Sequence, residues 1–192
     1  MQTYILSAKD SVSVARPKVI IGAKFIWEKS GPYNLVPWTY PVCSGGLQIL
    51  KPFYANLLQI ETGIYLNSKA NSNELTTDRQ YLILRHLSIP INCRLNTKYF
   101  FISGGPIADY LIKQNTDNWY DHKEMEINKV TFGINANAGL QKTFRQITLF
   151  VEGRYSHVLT SLSKNSFHYD PSFRNFGLGI GLNYSIGQNK KK

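Results

Sequence analysis

The chain predicts an all-β fold: an eight-stranded antiparallel up-and-down transmembrane β-barrel with short periplasmic turns and long extracellular loops. Three observations predict it. Side-chain character alternates with a period of two along successive segments, the repeat of strands whose two faces meet different surroundings. The links between segments alternate between long and short, as in a meander with all its long loops at one end. The face opposite the apolar one is mostly Gly, Asn and Ser, rather than the Lys, Glu and Thr of a solvated sheet surface.

The first segment, Val19–Trp27, sets Val19, Ile21, Phe25 and Trp27 on one face against Gly22 and Lys24 on the other. The second, Cys43–Leu50, is short and Gly-rich. In the third, Leu57–Leu66, Leu58, Ile60, Ile64 and Leu66 oppose Gln59, Glu61 and Gly63. The fourth alternates over Leu87–Leu95, with Ile89, Ile91 and Cys93 against Ser88, Asn92 and Arg94. The fifth, Lys98–Ile112, is apolar on both faces near its start. The sixth, Val130–Gln141, opposes Phe132, Ile134 and Leu140 to Asn135, Asn137 and Gly139. The seventh, Ile147–Tyr155, opposes Leu149 and Val151 to Glu152 and Arg154. The last, Asn175–Ile186, is the cleanest, with Leu178, Ile180 and Leu182 against Gly177, Gly179, Gly181 and Asn183. The long links are expected at Glu28–Val42, Asn67–Gln80, Lys113–Lys129 and Leu159–Phe173; the tight ones are expected around Lys51–Tyr54, Asn96–Thr97 and Lys142–Gln146.

Alternation is shared by membrane barrels and lipocalin-like cups, which point their apolar faces in opposite directions. Small polar side chains suit the inside of a narrow eight-stranded barrel. Charged strand residues fall on that same face: Lys24, Arg94 and Arg154 with Glu61, Asp109 and Glu152. Such a set is balanced in sign and can pair internally, whereas an unpaired buried charge costs several kcal/mol. Arg85 is the exception on the apolar face, near a long-loop end where lipid phosphates would meet it. Two aromatic belts are expected at the interfaces: Trp27, Tyr65, Tyr81 and Tyr110 toward the long loops, and Tyr54, Tyr99, Phe144 and Tyr184 toward the short turns. A spanning helix is excluded, because the longest run of apolar residues is four and a span needs about 20.

The organisation expected is a periplasmic segment over 1–17, the barrel over 18–187 and a basic tail over 188–192. MQTYILSAKDS has no basic, then apolar, signal-like stretch, so a membrane-exported chain would be read here without its leader. Cys43 and Cys93 fall near opposite ends of the molecule and have no metal-ligand spacing, so two separate buried or lipid-facing thiols are expected.

Two hairpins resemble a known family. Leu87–Ile112 (LSIPINCRLNTKYFFISGGPIADYLI) has an Ile89-Pro90 strand turning into an aromatic strand that reaches Gly105-Pro106. VEGRYSHVLTSL followed by FGLGIGLNYSI sets Glu152 and Arg154-Tyr155-Ser156 before the last long loop. Both are similar to hairpins of the PorT-like outer-membrane barrels of Bacteroidota. A terminal aromatic is usual there, and Ile186 stands in its place. The resemblance implies an eight-stranded barrel exported to the outer membrane of a Gram-negative bacterium with its signal removed. Some relatives serve type IX secretion, and most have no assigned activity.

The rival class is a lipid-modifying hydrolase of the outer membrane, which needs a Ser/His/acid set at the extracellular rim. Ser156, His157, Ser161, His168 and Asp170 cluster around the last long loop, but adjacent residues of a strand point to opposite faces, which separates Ser156 from His157. No catalytic residue and no cofactor is therefore expected. Gly177, Gly179 and Gly181 lie inside a strand and lack the helix N-terminus that binds phosphate. His86, His122, His157 and His168 form no ligand cluster, and Asp117, Asp121, Glu124 and Glu126 read as a solvated loop. Lys24, Glu61, Arg94, Glu152 and Arg154 read as a network that fills the lumen, since a solute pore needs more strands.

The 22 Lys+Arg and 12 Asp+Glu of the 192 residues give a net charge of +10. The excess gathers at the short-turn end, in Lys51, Lys98, Lys142, Arg145, Lys190, Lys191 and Lys192 with Lys9, Arg16 and Lys18, against Asp10 alone. Anionic headgroups or an acidic periplasmic protein answer that charge better than nucleic acid does. Outer-membrane lipids, lipopolysaccharide among them, and a protein partner in the outer membrane or periplasm are the expected partners.

Overall fold

Why the alternation produces a closed wall is visible in a computed structural model, which describes residues 19–32, 40–54, 57–73, 80–117, 127–161 and 173–187. Eight strands follow in order: β1 (Val19–Pro32), β2 (Tyr40–Tyr54), β3 (Leu58–Asn73), β4 (Gln80–Asn96), β5 (Phe100–Asp117), β6 (Val130–Phe144), β7 (Ile147–Val158) and β8 (Phe173–Ile186). Each pairs antiparallel with the next, and β8 returns to β1 in a continuous register from Val19↔Ile186 to Pro32↔Phe173. Closure gives every strand a hydrogen-bonded neighbour on both sides through the middle of the wall, the condition for crossing hydrocarbon with β-structure.

Polarity is inverted relative to a water-soluble domain. Leu47 (68% exposed), Leu178 (69%) and Ile180 (62%) stand outward with the other apolar members of the alternation. Glu61, Arg94, Gln48, Ser88 and Thr131 are buried inside. An apolar surface encircling a molecule is a surface made for lipid. Cys43 and Cys93 are free thiols on this outer face.

At the long-loop end the strands run further than the apolar alternation predicts. They have 12 to 18 residues, where about 9–11 suffice for a tilted crossing. The segments between β1 and β2 and between β3 and β4 accordingly shrink to 33–39 and 74–79. At that end the outward positions turn polar, as Lys29 and Arg85 are, so the apolar alternation fades while the hydrogen-bonded ladder continues. Ser30↔Tyr40, Asn73↔Gln80 and Tyr81↔Asp117 are paired there. At the other end the tight links are 55–57, 97–99 and Arg145–Gln146, the last with Arg145 at φ 55°.

Pro90 sits inside β4, opposite Ile107 of β5, where a missing N–H would ordinarily break a ladder. Its carbonyl accepts a hydrogen bond from the Thr62 hydroxyl at 2.8 Å, which ties β3 to β4 where backbone pairing lapses between Thr62 and Tyr65.

One expected belt residue is corrected. Tyr65 is 1% exposed and points into the barrel, on the same face as Glu61. Odd-numbered residues of β3 face inward, and the cross-strand Gly46 and the neighbouring Gly63 leave room for the ring. Trp27, Tyr110, Tyr99, Phe144 and Tyr184 stand outward; the side chains of Tyr54 and Tyr81 lie outside those described.

Candidate functional site: an ion-paired lumen

The lumen is best followed from the short turns upward. Arg94 of β4 lays its guanidinium on the Phe101 ring of β5, 3.6 Å from the centroid. Phe101 meets Phe150 of β7 edge-on at 5.8 Å. Two glycines make this floor possible. A Cβ at Gly139 would fall 2.6 Å from Phe101 Cζ, and one at Gly181 would fall 2.2 Å from Phe150 Cζ. Arg94 also donates to Gln141 Oε1 at 3.1 Å, and Gln141 donates to the Thr97 carbonyl at 2.6 Å.

Above the floor, Glu61 receives two cations. Its Oε1 lies 3.3 Å from Lys24 Nζ, and its Oε2 lies 3.2 Å from Arg94 Nη1. Lys24 makes a second pair with Glu152 at 2.9 Å and sits 5.2 Å from the centre of the Tyr65 ring. Tyr65 donates to Gln48, and Gln48 donates to Asn183 at 2.6 Å, which links β3, β2 and β8 across the interior. The next level pairs Arg154 with Glu28 at 3.3 Å. Glu28 also accepts from Asn175 at 2.9 Å and Ser44 at 3.4 Å. Higher still, Lys69 meets Asp109 at 2.5 Å, with His86 and Ser88 buried on the adjoining face of β4. Leu82, Leu84, Ile127, Val158 and Phe173 then close the long-loop end as an apolar stopper.

The five lumen residues singled out from the sequence thus lie together in this interior, with Asp109 above them. Two further members fall where the sequence predicts loops: Glu28 within 28–42 and Lys69 within 67–80. Both are inward strand residues, 1% and 3% exposed. Continuing the inward parity of Lys24 and Ile26 along β1, and of Glu61 along β3, would have found them. With these two, the described lumen holds Lys24, Lys69, Arg94 and Arg154 against Glu28, Glu61, Asp109 and Glu152, so it is neutral. Neutrality matters because each ion is stripped of water, and only close opposite charge offsets that cost.

At the short-turn end Lys51, Lys98, Lys142 and Arg145 are exposed. Lys98 lies over Tyr99 at 5.0 Å and Lys142 over Phe144 at 5.8 Å, an aromatic-basic border at that rim. Lys190, Lys191 and Lys192, with Lys9, Arg16 and Lys18, lie outside the described residues. Of the rim residues weighed as a hydrolase site, Ser156 shares the inward parity of Arg154, while His157 faces outward and stacks on Tyr155, centroids 6.5 Å apart. Ser161 is exposed beyond the end of β7, and its carbonyl accepts from Asn128. His168 and Asp170, like His122, Asp121, Glu124 and Glu126, lie outside the described residues. Among the described residues no group of three His, Cys, Asp or Glu side chains gathers as metal ligands would.

A closed antiparallel eight-stranded wall, apolar outside and polar within, is the fold of outer-membrane β-barrel proteins. Solved structures of that fold are similar to this one. Neisserial surface protein A matches with a TM-score of 0.51 at 10% identity, over 88% of this chain and 97% of that one. Ail, the attachment invasion locus protein of Yersinia pestis, solved in complex with the heparin analogue sucrose octasulfate, matches with a TM-score of 0.46 at 12% identity, over 86% of this chain and 97% of that one. At such identity the likeness is one of fold. No protein-family model matches the chain, and no curated protein matches it.

Proposed function

We propose that the chain is an integral outer-membrane protein of a Gram-negative bacterium, with its short turns and both termini toward the periplasm. In this reading it is a non-enzymatic structural or accessory subunit of an outer-membrane assembly. The carrying observation is a lumen filled from the Arg94–Phe101 floor to the Leu84–Phe173 stopper, inside a wall whose outer face is apolar. Among the described residues the lumen is occupied by side chains at every level, which leaves recognition to the rims and the outer wall. The resemblance of two hairpins to PorT-like barrels directs the role toward such an assembly, type IX secretion among the candidates. The basic residues at the short turns suit a periplasmic partner or the anionic headgroups of the inner leaflet. The segments 1–17 and 188–192 belong to that side in the same reading.

Three measurements test this. The folded chain should migrate differently on a denaturing gel before and after boiling. In planar bilayers it should show no discrete conductance steps, and steps would contradict the filled lumen. Replacing Ser156, His157 and His168 should leave the lipid A profile of the producing cell unaltered, and a changed profile would favour a hydrolase. Extraction in mild detergent and identification of the co-purifying protein would then name the assembly.

A further inference from the structure

The outward faces of β7, β8 and β1 carry the same pair of residues at their long-loop ends. Passing away from the middle of the wall, Tyr155 is followed on that face by His157, Phe176 by Arg174, and Trp27 by Lys29. These strands adjoin: Tyr155 is registered with Phe176, His157 with Arg174, and Phe176 with Lys29. The Tyr155 and Phe176 rings pack at 4.8 Å. Alternate residues of a strand lie about 6.6–6.8 Å apart, so three cationic or imidazole groups stand one step above three aromatic rings. That is where an aromatic belt gives way to lipid headgroups.

Below this ledge the wall is indented. Tyr155 and Phe176 border a groove of about 900 Å³ with Gly104, Ala136, Ala138 and Gly153 among its lining. A second groove of about 620 Å³ shares Ala138 and Gly153 and has Trp27 on its border. Unlike the lumen-facing glycines, Gly153 is crowded by nothing. An added Cβ would meet only the Ala138 carbonyl, at 3.9 Å.

We propose that this face binds an anionic, phosphate-bearing lipid of the leaflet on the long-loop side. Lys29 and Arg174 take the phosphate oxygens, His157 supplies a further donor, and acyl chains lie in the two grooves. The proposal rests on the membrane reading above. A second copy of the chain is the poorer occupant. A two-fold axis normal to the membrane would set one basic ledge against another at the same height, bringing like charges together.

The test uses the folded protein in non-ionic detergent, its folding checked by heat-modifiable mobility. It is titrated separately with phosphatidylglycerol, with diacylglycerol and with inorganic phosphate, and bound mass is read by native mass spectrometry. Phosphatidylglycerol should be retained in preference to diacylglycerol, and inorganic phosphate should not substitute for it. Lys29→Gln with Arg174→Gln should weaken retention about 30-fold. Lys113→Gln with Lys129→Gln removes equal charge from exposed positions at the end of β5 and just before β6, and should leave retention unchanged. Gly153→Leu fills the grooves without touching the headgroup site, and should also weaken retention. Undiminished retention in both the Lys29/Arg174 and Gly153 variants overturns the proposal. So does equal weakening by the Lys113/Lys129 pair, equal binding of inorganic phosphate, or a dimer in place of the lipid adduct. A chain that is monodisperse without detergent would overturn the membrane reading itself, whereas a detergent-borne barrel with unchanged retention overturns only this site.

Discussion

Replacing Glu61 with Gln takes one negative charge from a neutral interior while keeping the side-chain shape. Glu61 is fully buried and touches Lys24 at 3.3 Å and Arg94 at 3.2 Å. Lys24 keeps Glu152 at 2.9 Å, so it stays paired. Arg94 keeps the Phe101 ring and the side-chain amide oxygens of Gln141 and Asn96, none of which carries a charge. At 3.2 Å and an effective dielectric of about 20, the lost attraction is about 5 kcal/mol before solvation is counted. Stranding one partner of a buried pair costs about 3–5 kcal/mol in practice. The expected loss of unfolding free energy is therefore about 3–5 kcal/mol, read by urea titration in phosphatidylcholine vesicles with gel mobility as the signal. Glu61→Gln combined with Arg94→Met removes the stranded charge as well, and the pair should be less damaging than the sum of the singles by about 2 kcal/mol. A Glu61→Gln loss below about 1 kcal/mol, or strictly additive singles, would refute the ion-pair account of the lumen.

Three other outcomes follow from the same geometry. Gly181→Ala should destabilise by about 1–3 kcal/mol, because the new methyl lies 2.2 Å from Phe150 Cζ; Phe150→Leu in the same chain should recover part of that loss in the same titration. Arg145→Gly should raise stability by about 0.5–1 kcal/mol, since φ 55° at the β6–β7 turn is costly for an L side chain, and an unchanged unfolding midpoint would count against that strain. In a Cys43→Ser chain reconstituted in vesicles, lipid-facing Cys93 should resist a charged maleimide until urea unfolds the barrel; rapid labelling of the folded protein would place that face in water.

The face of each strand residue was legible in advance because a period of two is a local property. Once Phe25 is outward, Lys24 and Ile26 are inward, whatever the rest of the chain does. Strand count and the alternation of short and long links were legible for the same reason. Strand ends were not. Beyond the lipid the apolar alternation that marks a strand disappears, yet Ser30↔Tyr40 and Asn73↔Gln80 stay paired. That is why the alternation alone places Glu28 and Lys69 in loops.

The sequence alone therefore determined an inside, an outside and the membership of most of the polar interior. Tertiary structure decided who meets whom. Glu61 joins Lys24 from 37 residues away and Arg94 from 33 residues away, and Glu28 reaches Asn175 from 147 residues away. It also decided that the Tyr65 ring lies against Gly46 and Gly63, and that Phe101 and Phe150 lie against Gly139 and Gly181. The physical reason is that a strand's alternation is set by its own backbone. Contacts across a closed barrel are set by the register of every strand pair together, which no single segment contains.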